Sequence, residues 1–324
     1  MSDEHTDRAH EDTRLGRLQR ALLAWYDLQG RDLPWREPPE DGSGQTADAR
    51  SRPGARCRPW AVLVSELMLQ QTQAARVAAR FPEFLGRFPD PATMAAAPVS
   101  AVIDAWQGLG YNRRAVNLHR AAQEMVWRHG GHLPRELDEL EALPGVGPYT
   151  ARAVAAFAYG QLRAPVDTNV ARVMARAVAG AGLGRAEAQR VADGLVPVDR
   201  PADWSHALMD LGARYCTARR PVCGSCPVAT QCAWRAAGWP DPDPARASSV
   251  RAGPQDAFAG SDRYCRGRIV DALRRAPLDA SEVAATAGLE DAPERLERIV
   301  VGLVRDGLAV RDEHGGLCLP GRGG

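Results

Sequence analysis

Lysine is missing from this sequence: all 41 basic side chains in the 324 residues are arginine. No lysine amine is present to attack a sugar carbon and form a Schiff base, so any chemistry here proceeds without one. Long apolar runs are missing as well, and the first residues, MSDEHTDRAHEDTRLGR, are polar and acidic. A bilayer span and a secretory leader both need the opposite, so we expect a cytoplasmic protein with no membrane partner. An excess of one charge is lacking too. With 41 basic and 40 acidic side chains the net charge is +1, and the global balance by itself calls for no nucleic acid. Strand-like alternation is scarce between Pro59 and Arg235, which argues for a mainly α core. Cysteine is not scarce. Seven are present, and in a reducing compartment a cluster of them signals metal or redox chemistry rather than disulfides.

Residues 1–12 read as a solvated tail. Residues 13–28 carry apolar side chains at helical spacing, and the loop 33-LPWR-36 follows. The stretch 37–58, rich in Pro, Gly, Ser and charge, reads as a flexible insertion. From Pro59 to about Arg235 the pattern is repeatedly helical. Ser100 can cap one helix, Pro148 suits the first turn of another, and glycines end several segments. Residues 236–260 read as a linker by composition. Residues 261–324 differ in order: helical stretches Arg263–Arg274, Ala280–Ala287 and Pro293–Asp306, then LAVRD, a Glu-His-Gly-Gly turn and LCLP. Three short helices and a hairpin suggest a winged-helix-like domain, a module that binds DNA in some proteins and only packs or dimerises in others.

Four features carry chemistry. The turn 143-LPGVG-147 lies between helical stretches, and its glycines permit a tight reversal beside a helix N-terminus. Such a turn is an ordinary connection or a grip on phosphate through free backbone N–H groups. Cys216, Cys223, Cys226 and Cys232 fall in C-x6-C-x2-C-x5-C spacing. Four thiolates can hold a [4Fe–4S] cluster or a zinc ion, although structural zinc usually takes two close pairs. Glu66, in 61-AVLVSELMLQQT-72, has apolar residues on both sides. Its carboxyl group lies on a narrow solvent stripe or faces a cleft, where desolvation would suit it to deliver a proton. Asp167, in 165-PVDTNVARVMAR-176, is a plain helix cap or a carboxylate held where a helix start favours negative charge. One acid and one anion are what hydrolysis of a glycosidic bond requires.

The strings LPWR, SELMLQQTQ, WQGLGYNRRAVNLHRAA, LPGVGPYTA, PVDTNVARV and ALMDLGARYC, followed by the cysteines, resemble the MutY-type adenine DNA glycosylases over roughly residues 15–234. The resemblance implies a two-lobed helix-hairpin-helix DNA glycosylase fold. A six-helix barrel would take about 59–165, and an iron–sulfur lobe 13–58 with 166–235. It also implies a [4Fe–4S] cluster, because the cysteine spacing equals that of endonuclease III and its relatives. The implied activity is removal of adenine mispaired with 8-oxoguanine or guanine from double-stranded DNA, by a monomer at the bacterial nucleoid. Carried over by position, Glu66 would protonate adenine and later serve the water, and Asp167 would face the sugar cation. Asn169 and Tyr149 would position it. Gln71 and Tyr111 would wedge into the duplex. Trp35 and Arg36 would wall the adenine pocket, and Gly145 and Gly147 would form the phosphate-binding hairpin. Tyr149 stands where the bifunctional relatives carry a lysine, which implies a monofunctional enzyme. The chain departs from the family at Ala171, usually lysine, at Asn112, usually a second tyrosine, and after Cys232. There the usual recognition domain for 8-oxoguanine is replaced by the winged-helix-like segment. Two other readings remain at this point: a thymine or uracil mismatch glycosylase on the same scaffold, and a non-catalytic DNA-binding iron–sulfur protein.

Overall fold

The computed structural model describes residues 13–36, 58–248 and 258–322. The tail 1–12, residues 37–57 of the expected insertion with Cys57, and residues 249–257 of the expected linker lie outside the described residues. Among the described residues the chain is helical except for one antiparallel pair of strands, Val310–Arg311 with Leu317–Cys318. No helix among them is long and apolar enough to cross a membrane. Contacts divide the chain into two units: Met1–Val62 with Gly147–Arg251, and Leu63–Val146 with Ala252–Gly324.

In the first unit, the helix Arg14–Gln29 starts where the Thr13 hydroxyl accepts the Gly16 N–H. It buries Leu18, Leu22 and Trp25 against a core that includes Val173, Met174, Trp204 and Leu211. The helix Pro148–Tyr159 begins with proline in its first turn, as the sequence suggests, and ends at Gly160 with φ 65°. This helix falls within the first of the two units. The helix Thr168–Val173 runs on as a π-helical segment, Met174–Ala179, a form that recurs at functional sites. The helix Pro201–Arg214 buries His206 and Asp210. His206 stacks on Phe157 with ring centroids 4.1 Å apart. The expected linker needs correction at its start. Residues up to 248 are ordered against this unit, because the Asp243 carboxylate accepts the Nε of the buried Arg176 at 2.9 Å. A Pro- and Asp-rich composition hides that one partner.

In the second unit, the helix that opens at Pro59 and ends at Leu69 is buried nearly all round, with Leu63, Val64, Leu67 and Met68 fully enclosed. Ala74–Arg87, Pro91–Ala96, Val99–Ala105, Arg113–His129 and Leu137–Glu141 follow. Ser100 does not cap. Pro98 takes that position, and Ser100 is buried inside the helix Val99–Ala105. The C-terminal helices are Asp262–Leu273, Ala280–Ala287 and Pro293–Arg305. Leu278 bridges to Leu317, which gives the hairpin a third partner. This module is not free-standing: Ile103 and Val116 of the preceding helices share one core with Ile269, Leu273 and Leu303.

Buried ionisable groups should weaken the fold at acid pH. Burial, with the charges of Arg36 and Arg31, holds His206 well below the ordinary histidine value of 6.5. His119 is lowered as well, first by burial and further by Arg120, against the pull of its bond to the Ala97 carbonyl. A histidine neutral in the fold takes up its proton on unfolding, so stability falls as pH drops below about 6.5. Asp210 is held below 3.8: burial opposes this, and Arg36 and Arg31 outweigh it. Its contribution is present above that value and is lost only at lower pH. The melting temperature should therefore fall from about pH 7.5 to about pH 5.5, at no more than about 1.4 kcal/mol per pH unit for each histidine. His206→Asn should flatten that slope, as calorimetry across the range would measure.

Candidate active site

Asp167 caps the helix Thr168–Val173. Its Oδ1 accepts the backbone N–H of Asn169 at 2.8 Å and of Val170 at 2.7 Å, and its Oδ2 accepts the Asn169 side-chain amide at 2.9 Å. The plain cap is thus real, and it also fixes both oxygens. Asp167 and Tyr149 line one cavity of about 630 Å³, together with Val166, Ala171, Arg185 and Gln189. Arg152, on the same wall, is committed to Asp193 at 2.9 Å. The cavity thus gathers two of the four residues assigned to catalysis, and a third, Asn169, holds one of them.

Asn169 is itself held. Its Oδ1 accepts from Arg172 at 2.7 Å, and the same guanidinium donates to the Gly212 carbonyl at 2.8 Å and to the Cys216 carbonyl. Arg176, one turn on, donates to the Cys216 sulfur at 3.6 Å and to the Thr217 carbonyl at 2.7 Å. A continuous set of hydrogen bonds thus joins Asp167 to the first cysteine of the loop. Gly212 lets the two helices approach: an added Cβ would lie 2.6 Å from the Asn169 Cβ. Neither Arg172 nor Gly212 stands out in the sequence. The only signal is that both fall inside motif strings.

Arg36 is held by a buried partner. Its guanidinium is paired with the fully buried Asp210 side chain, at 2.9 and 3.0 Å, and lies over the Tyr26 ring. Arg31 shares that carboxylate at 2.7 Å. The pair anchors the LPWR loop, and Trp35 beside it is only 6% exposed.

In the second unit Glu66 is 6% exposed, which removes the solvent-stripe alternative. Gln71 and Tyr111 have φ of 58° and 46°; among the described residues only Trp239 joins them as a non-glycine in that region. Backbone held there costs about 1–3 kcal/mol and collects at functional sites. Arg114, which sequence reasoning passed over, ties their segments together. It donates to the carbonyls of Leu67 (2.8 Å) and Met68 (2.6 Å) at the end of the Glu66 helix, and to Leu109 (3.1 Å) and Gly110 (2.9 Å) before Tyr111. Burial lowers its pKa to about 10, against the pull of Tyr111. Gly145 has φ 84°, and an added Cβ would meet the Asn117 side chain at 2.8 Å. At Gly147, the cap of the next helix, φ is −103° and an added Cβ would meet nothing within 4 Å.

Residues 64–192 match the HhH-GPD superfamily of base excision DNA repair proteins, and 216–232 match the iron–sulfur binding domain of endonuclease III. The chain is 45% identical over 309 residues to an adenine DNA glycosylase of Mycobacterium tuberculosis, covering 93% of each. The chain belongs to the adenine DNA glycosylase family. The human adenine DNA glycosylase is 41% identical over 218 residues, 65% of this chain and 38% of that one. The mycobacterial match is thus long enough to take in the C-terminal module, whereas the human match has only the length of the core. A solved thermostable thymine-DNA glycosylase superposes with a TM-score of 0.59 at 25% identity, covering 70% of this chain and 99% of that one. The present chain is a base excision repair glycosylase that acts on DNA, with the helix-hairpin-helix fold the sequence implies.

It carries a [4Fe–4S] cluster, and the residues of its iron–sulfur domain fit one. Cys216, Cys223, Cys226 and Cys232 are all free and half-buried, and three of them pack on the same core. They would hold the cluster. Among the described residues no three His, Cys, Asp or Glu side chains converge as a single metal ion needs. A four-iron cluster tolerates that spread, because each thiolate binds its own iron. Burial pushes the Cys226 thiol up to about 11; the Val228 N–H opposes this and the neighbouring sulfurs add to it. Cys216 is raised by burial against the pull of Arg176 and Arg172. Thiols in this setting resist ionising together, and bound iron supplies the charge that makes them thiolates.

Gly212→Ala tests the connection from Asp167 to this loop. It should destabilise by about 1–3 kcal/mol through overpacking and slow base release by displacing Asn169. Iron content should stay at the wild-type level, as metal analysis beside single-turnover kinetics would verify.

Proposed function

We propose that the enzyme hydrolyses the N-glycosidic bond of adenine opposite 8-oxoguanine or guanine in duplex DNA and leaves the backbone intact. The carrying observation is the fixed carboxylate of Asp167, held by Asn169 and two backbone N–H groups on a cavity it shares with Tyr149. The kinship with adenine DNA glycosylases directs that chemistry to adenine. In this reading Glu66, withdrawn from water inside its helix, gives a proton to adenine as the bond to the sugar breaks. Asp167 then stabilises the sugar cation, and a water adds after giving a proton back to Glu66. Gly145 and Gly147 grip backbone phosphate. Packing explains glycine only at 145, whereas close approach by a partner explains it at 147. Gln71 and Tyr111 enter the duplex, their strained backbones held by neighbours. Arg36, tied to Asp210, serves the pocket by anchoring the loop that carries Trp35.

Asp167→Asn removes charge and keeps the cap; Glu66→Gln removes the proton donor and keeps the shape. Each should slow single-turnover adenine release by roughly 10²–10⁴-fold, with duplex binding retained. Near-normal excision by Asp167→Asn would reduce that residue to a helix cap. Duplexes with thymine or uracil opposite guanine, run alongside, decide between adenine and the other mismatch chemistry.

The absence of lysine gives a second test. Borohydride should trap no Schiff base with the DNA, and strands should break only after alkali or heat. Efficient breakage without either treatment would mean that another amine acts.

A further inference from the structure

Besides the core it shares with Ile103 and Val116, the C-terminal module grips the loop that carries Tyr111. Arg263, on the module's first helix, donates to the Tyr111 hydroxyl and lies over its ring at 5.3 Å. The same guanidinium lies over the Phe258 ring at 4.9 Å, so it is sandwiched between two aromatic faces. Arg274, at the end of that helix, donates to the Asn112 side chain at 3.1 Å and to the Ile103 carbonyl at 3.1 Å. Two successive loop residues are thus each held by an arginine of one module. Arg322 secures the other side through Asp104.

The module's third helix, Pro293–Arg305, is the one a winged-helix protein lays in the major groove. Its exposed residues here include Glu294, Glu297, Val301 and Val304 beside Arg298 and Arg305, and Glu297 pairs with Arg311 at 2.7 Å. Carboxylates and bare valines repel phosphate or offer base edges nothing to bond. The first helix, by contrast, sets Arg263 against Tyr111, whose left-handed backbone needs outside support.

We propose that the C-terminal module acts on the mispair through Tyr111, with Arg263 a positioning residue for its ring and hydroxyl and Arg274 one for Asn112. In this arrangement the module tunes discrimination of the base opposite adenine without reading DNA through its third helix. The inference rests on the adenine-mispair reading for its substrate. It assigns to two arginines the support of a loop in which Asn112 stands where a second tyrosine is expected after Tyr111.

The test uses the full-length, cluster-loaded enzyme. Single-turnover adenine release is measured opposite 8-oxoguanine and opposite guanine. Equilibrium binding is measured to duplexes with a tetrahydrofuran abasic analogue opposite each base. Arg263→Ala should lower the 8-oxoguanine to guanine ratio by about tenfold, the worth of one hydrogen bond and its stacking. Arg263→Lys, which keeps the charge and a donor, should recover part of it. Tyr111→Phe should lower the ratio too. The double variant should be no worse than the worse single one, because both act through one contact. Arg298→Ala and Arg305→Ala should leave the ratio and the salt dependence of binding unchanged. An unchanged ratio in Arg263→Ala, multiplying effects in the double variant, or a loss confined to the third-helix variants would each overturn the proposal. Iron content and melting temperature are checked throughout, and Arg263→Met, which keeps the packing stem, replaces the alanine variant if that fails to fold. If the wild type released no adenine, the functional reading would fall. The binding ratio would still decide the role of Arg263.

Discussion

The last carbonyls of a helix have no partner within it, and this fold meets that constraint with arginine. Arg114 closes the end of the Glu66 helix and reaches the loop before Tyr111 with the same guanidinium. Arg14 does the same in the other unit, donating to Ala177 (2.8 Å), Val178 (2.6 Å) and Gln231 (2.7 Å). Arg172 and Arg176 bind the carbonyls that lead into the cysteine loop. Arginine's five donors in a planar fork satisfy several oxygens at once, and its weak hydration lowers the cost of burial. A lysine ammonium could not bridge such separated groups. The absence of lysine thus bears on architecture as well as on mechanism.

These arginines also put the functional segments under common control. Asp167 depends on Asn169, Asn169 on Arg172, and Arg172 on the backbone of Cys216. An iron–sulfur domain in such a position is more than a stapled loop. Its first cysteine is hydrogen-bonded through Arg172 to the helix that Asp167 caps, and any side chain at Gly212 would crowd Asn169 within that set. In the other unit, Arg114 and Arg263 both lie against the Tyr111 ring, at 5.7 and 5.3 Å.

Strain and support go together here. Gln71 and Tyr111 adopt backbone conformations that side chains disfavour. Neighbours of both are tied down: Thr72 donates to the Leu109 carbonyl at 3.2 Å, and Gln70 to that of Gly145 at 3.2 Å. Under the proposed function these two residues enter the duplex, and rigidity beforehand would spare the cost of ordering them on contact.

What the sequence determined by itself was the local chemistry. Helical periodicity placed the helices, Pro148 and Asp167 marked helix starts, and the cysteine spacing marked the iron–sulfur domain, because each depends on neighbours in the chain. The missing lysine ruled out one mechanism without any coordinates. Tertiary structure decided what each side chain touches. It chose the buried alternative for Glu66, committed Arg36 to Asp210, and drew Asp243 out of an apparent linker to pair with Arg176. It also fused the C-terminal module onto the Tyr111 loop. Those outcomes rest on charges and carbonyls brought together from distant parts of the chain. A periodic pattern records which face of a helix is apolar, but not which buried polar group another helix will bring to meet it.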